Sequence, residues 1–149
     1  MRLPNGVTGF YNSEADKPPQ TDGKQFKQLC FSVAANNAGR ILEFNSPRYP
    51  ANFYSAYVEM CGNQFYILLN EHYPFIAFAS IVDDGNLEFK DEPVLFQEFK
   101  PFYDVLTVNE LNELIKHKPQ KNELNPAEWK QIFYWKPGTV GQILFNYWD

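Results

Sequence analysis

Residues 65–82 read FYILLNEHYPFIAFASIV. Two short runs rich in aromatic and β-branched side chains, FYILL and FIAFASIV, flank a polar NEHYP, the pattern of two strands joined by a loop. Neither run alternates between apolar and polar, so apolar side chains fall on both faces of each strand. An antiparallel sheet with one face in water does not tolerate that, and the centre of this sheet must be covered on both sides.

Working outward, FYSAYVEMC at 53–61 does alternate, with Tyr54, Ala56, Val58 and Met60 on one face and Ser55, Tyr57 and Glu59 on the other. CGNQ at 61–64 supplies a Gly-Asn turn, so residues 53–70 form a hairpin. RILEF at 40–44 is a short strand set off by the proline-bearing loop NSPRYPAN, while DDGN at 83–86 turns the chain into a short edge, LEFK. Residues 40–90 are therefore expected to form an antiparallel meander of four to five strands.

One cover lies upstream. Asp22 stands three residues before Gln25 at capping-box spacing, and Phe26, Leu29, Cys30, Val33 and Ala34 then make one helical stripe that ends at NNAG. The other cover must come from beyond residue 90. DEPVLFQEFKPFYDVL at 91–106 reads as an extended stretch broken at Pro93 and Pro101. Thr107 and Glu110 form a second capping box, for a helix through Leu111, Leu114 and Ile115 that stops before Pro119. Asn125, Pro126 and Glu128 open a third helix through Trp129, Ile132 and Phe133, which WKPG ends. The aromatic tail FNYWD is expected to dock on the sheet together with these helices. Residues 1–21, turn-rich but carrying Leu3, Val7, Phe10 and Tyr11, read as an extended arm packed on the domain. The expectation is a single α+β domain over residues 1–149: a meander covered by an N-terminal helix and C-terminal helices.

Apolar residues make up 44 % of the chain and aromatics 17 %, too rich a core for a disordered segment. No apolar run approaches the roughly 18 residues of a membrane span, and Pro4 and Gly6 interrupt the start before a signal-peptide apolar region forms. A cytoplasmic protein with no membrane partner is expected. Cys30 and Cys61 fall in stretches that read as regular elements, which suits two buried thiols in a reducing compartment. The net charge is −5, and the acid is gathered in the middle of the chain: Glu43, Glu59, Glu71, Asp83, Asp84, Glu88, Asp91, Glu92 and Glu98 face only Arg40, Arg48 and Lys90 within residues 40–99. That distribution argues against a nucleic-acid backbone and permits a basic partner.

Signatures of catalysis are missing: no phosphate-binding glycine loop, no Gly-x-Ser-x-Gly elbow, and no Cys-x-x-Cys or His-Glu-x-x-His spacing for zinc. No catalytic residue, metal site or cofactor is assigned. His117, in IKHKP, suits a helix C-terminus. His72 sits with Asn70, Glu71 and Tyr73 in an inter-strand loop, where functional residues are often placed. In extended chain Glu71 and His72 point to opposite sides and form no dyad by themselves. Tyr57 and Tyr66 fall on paired strands beside Glu59 and Gln64, a surface of tyrosine, carboxylate and amide that is either displayed or covered by the C-terminal half.

WKPGTVGQILFNYWD at 135–149, with Trp135, Pro137, Gly141, Phe145, Asn146, Trp148 and Asp149, resembles the ending of some small uncharacterised bacterial proteins, among them ones similar to toxin-immunity proteins. LPNGVTGFYN at 3–12 adds to the likeness. The resemblance implies a cytoplasmic protein that binds and neutralises a partner toxin, and it carries over no functional residue. Residue chemistry and resemblance together lead to a non-enzymatic interaction protein for a basic partner, of which an immunity-type inhibitor of a toxin or nuclease is one form. Its binding residues would be Tyr57, Glu59, Tyr66, Glu71, His72, Asp83 and Asp84. The alternative is a small enzyme or small-molecule-binding protein that uses the Asn70–Tyr73 loop. Oligomeric state is left open.

Overall fold

The structure is a computed structural model that describes residues 1–83, 86–115 and 122–149. Helix α1 (Gly23–Asn36) precedes a meander of β1 (Arg40–Asn45), β2 (Phe53–Met60), β3 (Asn63–Asn70), β4 (Phe75–Asp83) and β5 (Asn86–Lys90). Then come α2 (Pro93–Phe99), β6 (Asp104–Val105), α3 (Val108–Leu111), α4 (Pro126–Trp135) and α5 (Val140–Leu144). The meander strands lie side by side in chain order, all antiparallel. β6 joins in parallel, pairing Phe75 with Asp104 and Ile76 with Val105 on the stretch of the β4 edge that β5 does not use. This is the expected α+β class. Among the described residues, no helix is long and apolar enough to cross a membrane.

The two-faced strands sit where their composition requires. On β3, Phe65, Ile67 and Leu69 point to one side with Ile76 and Phe78 of β4, under Phe26, Cys30 and Val33 of α1 and Leu95 and Phe99 of α2. Leu68, Phe75, Ala77 and Ala79 point to the other side, under Leu3 and Val7 of the arm, Leu111, Ile132, and the tail residues Leu144, Phe145 and Trp148. Phe145 is 1 % exposed and Trp148 8 %. Burial of side chains this size contributes on the order of 2–3 kcal/mol each, so the aromatic tail is held down.

Local signals account for most boundaries. The Asp22 carboxylate accepts from the amides of Lys24 and Gln25 at the start of α1. At its end Ala38 takes the left-handed conformation (φ 52°). Gly39 is needed for a different reason: a Cβ there would stand 2.5 Å from the Glu59 carbonyl oxygen. Reciprocal capping boxes open α3 at Thr107 and Glu110, and α4 at Asn125 and Glu128. A third, Thr139 with Gln142, opens α5, which the sequence reading left as tail.

Several expectations need correction. Residues 93–99 are helical, not extended, because Pro93 occupies the first turn, where its missing N–H is not needed, and Leu95 and Phe99 then bury one helical face. Helix α3 ends at Leu111 instead of running toward Pro119; Leu114 leaves it to bridge Thr139 and is 74 % exposed. The turn of the β2–β3 hairpin is Cys61-Gly62, not Gly-Asn. Both residues have positive φ (51° and 76°), the geometry whose twist matches that of the flanking strands. Cys61 is therefore exposed, and of the two thiols only Cys30 is buried, its pKa raised by desolvation. His117 and Asp84 lie outside the described residues.

A polar network clamps the arm and the tail to the sheet. Asn70, fully buried at the end of β3, donates to the carbonyls of Val7 (3.0 Å) and Leu144 (2.8 Å) and accepts from the amides of His72 and Tyr73. Asn52 donates to Leu144 O (3.2 Å) and accepts from the Asn146 amide (2.8 Å). Glu128, also fully buried, accepts from the amides of Gly6 (2.6 Å) and Thr8 (2.9 Å) and from the Thr8 hydroxyl (2.6 Å). Burial pushes its carboxyl above the usual range, and hydrogen bonds from Thr8, Gly6 and Asn125 pull it back. Replacing Thr8 by Val leaves one carboxylate oxygen short of a donor in a site closed to water. We expect Thr8→Val to lower the unfolding free energy by about 1.5–3 kcal/mol in urea denaturation at neutral pH; a loss below about 0.5 kcal/mol would show that the Glu128 clamp does not hold the arm.

Candidate functional site

The candidate binding residues fall into two groups at opposite ends of β3. The first is a cross-strand arrangement fixed by register: Tyr57 opposes Tyr66 and Glu43, while Glu59 opposes Gln64 and Arg40. The tyrosine rings lie 4.5 Å apart between centroids and are tilted by 32°. A relay runs from them along the sheet. The Tyr57 hydroxyl donates to Gln64 Oε1 (2.7 Å), Gln64 Nε2 donates to Glu59 Oε2 (3.0 Å), and Glu59 Oε1 lies 3.5 Å from Arg40 Nε. Both tyrosines are half-buried, with Tyr66 packed against the margin of the core that the tail completes. The C-terminal half thus reaches the edge of this surface without closing over it, so the face that was either displayed or covered is displayed at Tyr57, Glu43 and Gln64.

Electrostatics mark the same surface. The Tyr66 hydroxyl ionises above the usual tyrosine range, chiefly through burial and then through Tyr57, Glu43 and Asp83. Asp83 therefore belongs to the neighbourhood of this group. The sequence reading missed Glu43 as a member; it reaches this face because the β1–β2 register shifts between Ile41 and Glu43, an irregularity that no local pattern announces.

Glu71 and His72 form the second group, separated from Tyr66 by roughly 17 Å of strand. His72 is only 8 % exposed. Its Nδ1 lies 2.8 Å from the Pro19 carbonyl oxygen and its Nε2 lies 3.5 Å from Glu71 Oε2. The expectation that these adjacent side chains diverge is overturned. The Asn70 carboxamide gathers the amides of His72 and Tyr73 and bends the chain directly after β3, so both side chains swing to one side. They line a concavity of about 270 Å³ with Gly9, Tyr49, Pro50 and Trp148 among its walls.

A larger groove of about 640 Å³ adjoins it, walled by Pro50, Trp135, Pro137, Tyr147 and Trp148. There the Trp135 and Trp148 rings are parallel to within 4°, with centroids 6.5 Å apart. The aromatic density of WKP and NYW signalled this wall in the sequence, but not that it borders the His72 loop. Among the described residues, no group of three or more His, Cys, Asp or Glu side chains could hold a metal ion. No family model, curated protein or solved structure matches this chain.

Coupling between the paired rings can be measured directly. In the Tyr57→Phe variant the neighbouring phenolate is gone, so the negative charge opposing ionisation of Tyr66 is reduced. The Tyr66 pKa, followed by the ¹³Cζ shift in an NMR titration, is expected to move down toward the ordinary tyrosine value, and an unmoved or higher pKa would contradict the arrangement.

Proposed function

We propose that this chain is a non-enzymatic cytoplasmic protein that binds a basic protein partner through the Tyr57–Tyr66 face, acting as an immunity-type inhibitor of a toxin or nuclease. The observation that carries this reading is the pair of tyrosine rings in cross-strand contact, half-buried on the sheet and bordered by Glu43, Glu59 and Asp83. Tyrosine offers a large contact area with only two side-chain torsions to fix, so pre-positioned rings bind at low entropic cost. Carboxylates around them steer a basic protein during encounter and fix its register. Likeness of the 135–149 segment to proteins similar to toxin-immunity proteins supports the same role, although the segment itself serves the core.

A second reading is favoured by one specific observation: His72 is buried in a concavity with the Glu71 carboxylate turned toward it. That arrangement suits a small-molecule site at the Asn70–Tyr73 loop. It shares no residue with the tyrosine face, so the two readings are separable by mutation.

The protein-binding role is tested by capturing partners on the immobilised chain at low and at moderate salt, then measuring the affinity of the purified basic partner for wild type and for a Tyr57→Ala, Glu59→Lys double variant. A dissociation constant that rises with salt, and by about tenfold or more (about 1.4 kcal/mol) in the double variant, is the expected result. Equal binding by the variant, or binding indifferent to salt, would overturn it.

A further inference from the structure

We infer that the concavity between the first turns of α1 and the loop after β1 is a binding site for a small phosphate monoester. It lies on the α1 side of the sheet and shares no residue with the tyrosine face or with the Asn70–Tyr73 loop, so it stands apart from both readings above.

The chain as a whole is acidic, with 13 lysines and arginines against 18 aspartates and glutamates, yet here the balance is reversed. Lys24, Lys27 and Arg48 line a concavity of about 590 Å³, with Asp22 as the one carboxylate among its described walls. All three cations are exposed, and among the described residues none is spent on an ion pair. Three cations against one carboxylate leave a surplus of two positive charges, which a phosphate dianion matches and a single carboxylate does not.

Their placement is not what helix stability asks for. An α-helix favours carboxylates in its first turn, where its dipole leaves positive charge. Helix α1 has no acidic residue there and carries Lys24 instead. Lys27 follows at i+3 on the same side of the helix, so two like charges stand one turn apart. Arg48, in the loop after β1, is then brought to the same concavity. An anion bound among the three reverses both costs. The helix end is not itself the site: Asp22 Oδ1 already accepts from the amides of Lys24 (3.0 Å) and Gln25 (3.1 Å), so side chains would hold the phosphate oxygens.

Each wall has a use for such a ligand. Lys27 Nζ stands 5.5 Å from the centroid of the Phe44 ring, a cation–π contact that holds its charge at the wall. The planar fork of Arg48 can meet two phosphate oxygens at once, and Lys24 adds a point charge. Phe44 and Tyr54, half-buried with ring centroids 6.5 Å apart, form the apolar side on which the organic part of an ester rests. Gly23 lets α1 begin this close to them, since a Cβ there would stand 2.6 Å from Cε1 of Tyr54. Three cations in one concavity suit a single phosphate group and not the run of phosphates along a nucleic acid.

The test uses the full chain at mildly alkaline pH, where a phosphate monoester is a dianion. Inorganic phosphate, phenyl phosphate and benzoate are titrated at equal ionic strength and followed by NMR shifts of the Gly23, Lys27, Asn45 and Arg48 amides. Saturable shifts with both phosphates, and none with benzoate, which keeps the ring but carries a single charge, are the expected result. Tighter binding of phenyl phosphate assigns the site to an aromatic ester resting on Phe44 and Tyr54; equal affinity assigns it to the phosphate group alone. Arg48→Gln should weaken phenyl phosphate by about tenfold or more with the thermal midpoint retained. Lys24→Glu should weaken it at least as much while raising the midpoint, because it puts a carboxylate in the first turn of α1 and separates the like charges. Benzoate binding as strong as that of phenyl phosphate, undiminished phosphate binding by either variant, or silence with both phosphates would overturn the inference. So would a lowered midpoint in Lys24→Glu, which would show that Lys24 serves the fold and not a ligand.

Discussion

The constraint on which this structure depends is that β3 and β4 are apolar on both faces. A sheet of that kind needs two lids, and the chain builds them by different routes. One lid is local: α1 precedes the meander, α2 follows it, and their Phe26, Val33, Leu95 and Phe99 close one face. The opposite lid is assembled from residues far apart in sequence, Leu3 and Val7 from the arm and Leu111, Ile132, Leu144, Phe145 and Trp148 from the other half. Segments brought together in this way bury backbone groups that no sheet ladder can satisfy, which costs free energy unless side chains supply partners. Asn52, Asn70 and Glu128 supply them, and this explains why four of the few buried polar side chains are asparagines: Asn52, Asn70, Asn125 and Asn146. A carboxamide both donates and accepts, so a single Asn70 ties Val7 and Leu144 to the bend that carries His72.

Much of this was legible without coordinates. Consecutive apolar residues in FYILL and FIAFASIV demanded two covers, alternation in FYSAYVEMC sorted its faces, and the capping residues Asp22, Thr107 and Asn125 marked helix starts that the structure keeps. The errors share a cause: local signals with two meanings. Pro93 was taken as a break in extended chain, but the same residue also opens a helix. Cys61 was placed at the end of the alternating FYSAYVEMC strand, whereas the hairpin spends it on the turn.

The candidate site was less legible, because it depends on register and on a bend. Tyr57 and Tyr66 could be placed on paired strands from sequence, but the joining of Glu43 to them depends on a β1 irregularity. His72 and Glu71 were separated by a rule that holds for extended chain and fails at the Asn70 turn. What the two regions share is chemical. Each sets carboxylate beside aromatic surface, Glu43 and Glu59 with the paired tyrosines at one end of β3, Glu71 with Tyr49 and Trp148 at the other.

The network of Asn70 and Glu128 makes the arm part of the cooperative core and not a strap that opens by itself. Native-state hydrogen exchange tests this most directly, by comparing the amides of Gly6 and Thr8, which donate to Glu128, with those of Ile67 to Leu69 in the middle of β3. If the arm is part of the core, all of these amides exchange through the same global opening, with equal free energies and equal denaturant dependence. Exchange of Gly6 and Thr8 through a separate opening of lower energy, while β3 stays protected, would contradict it.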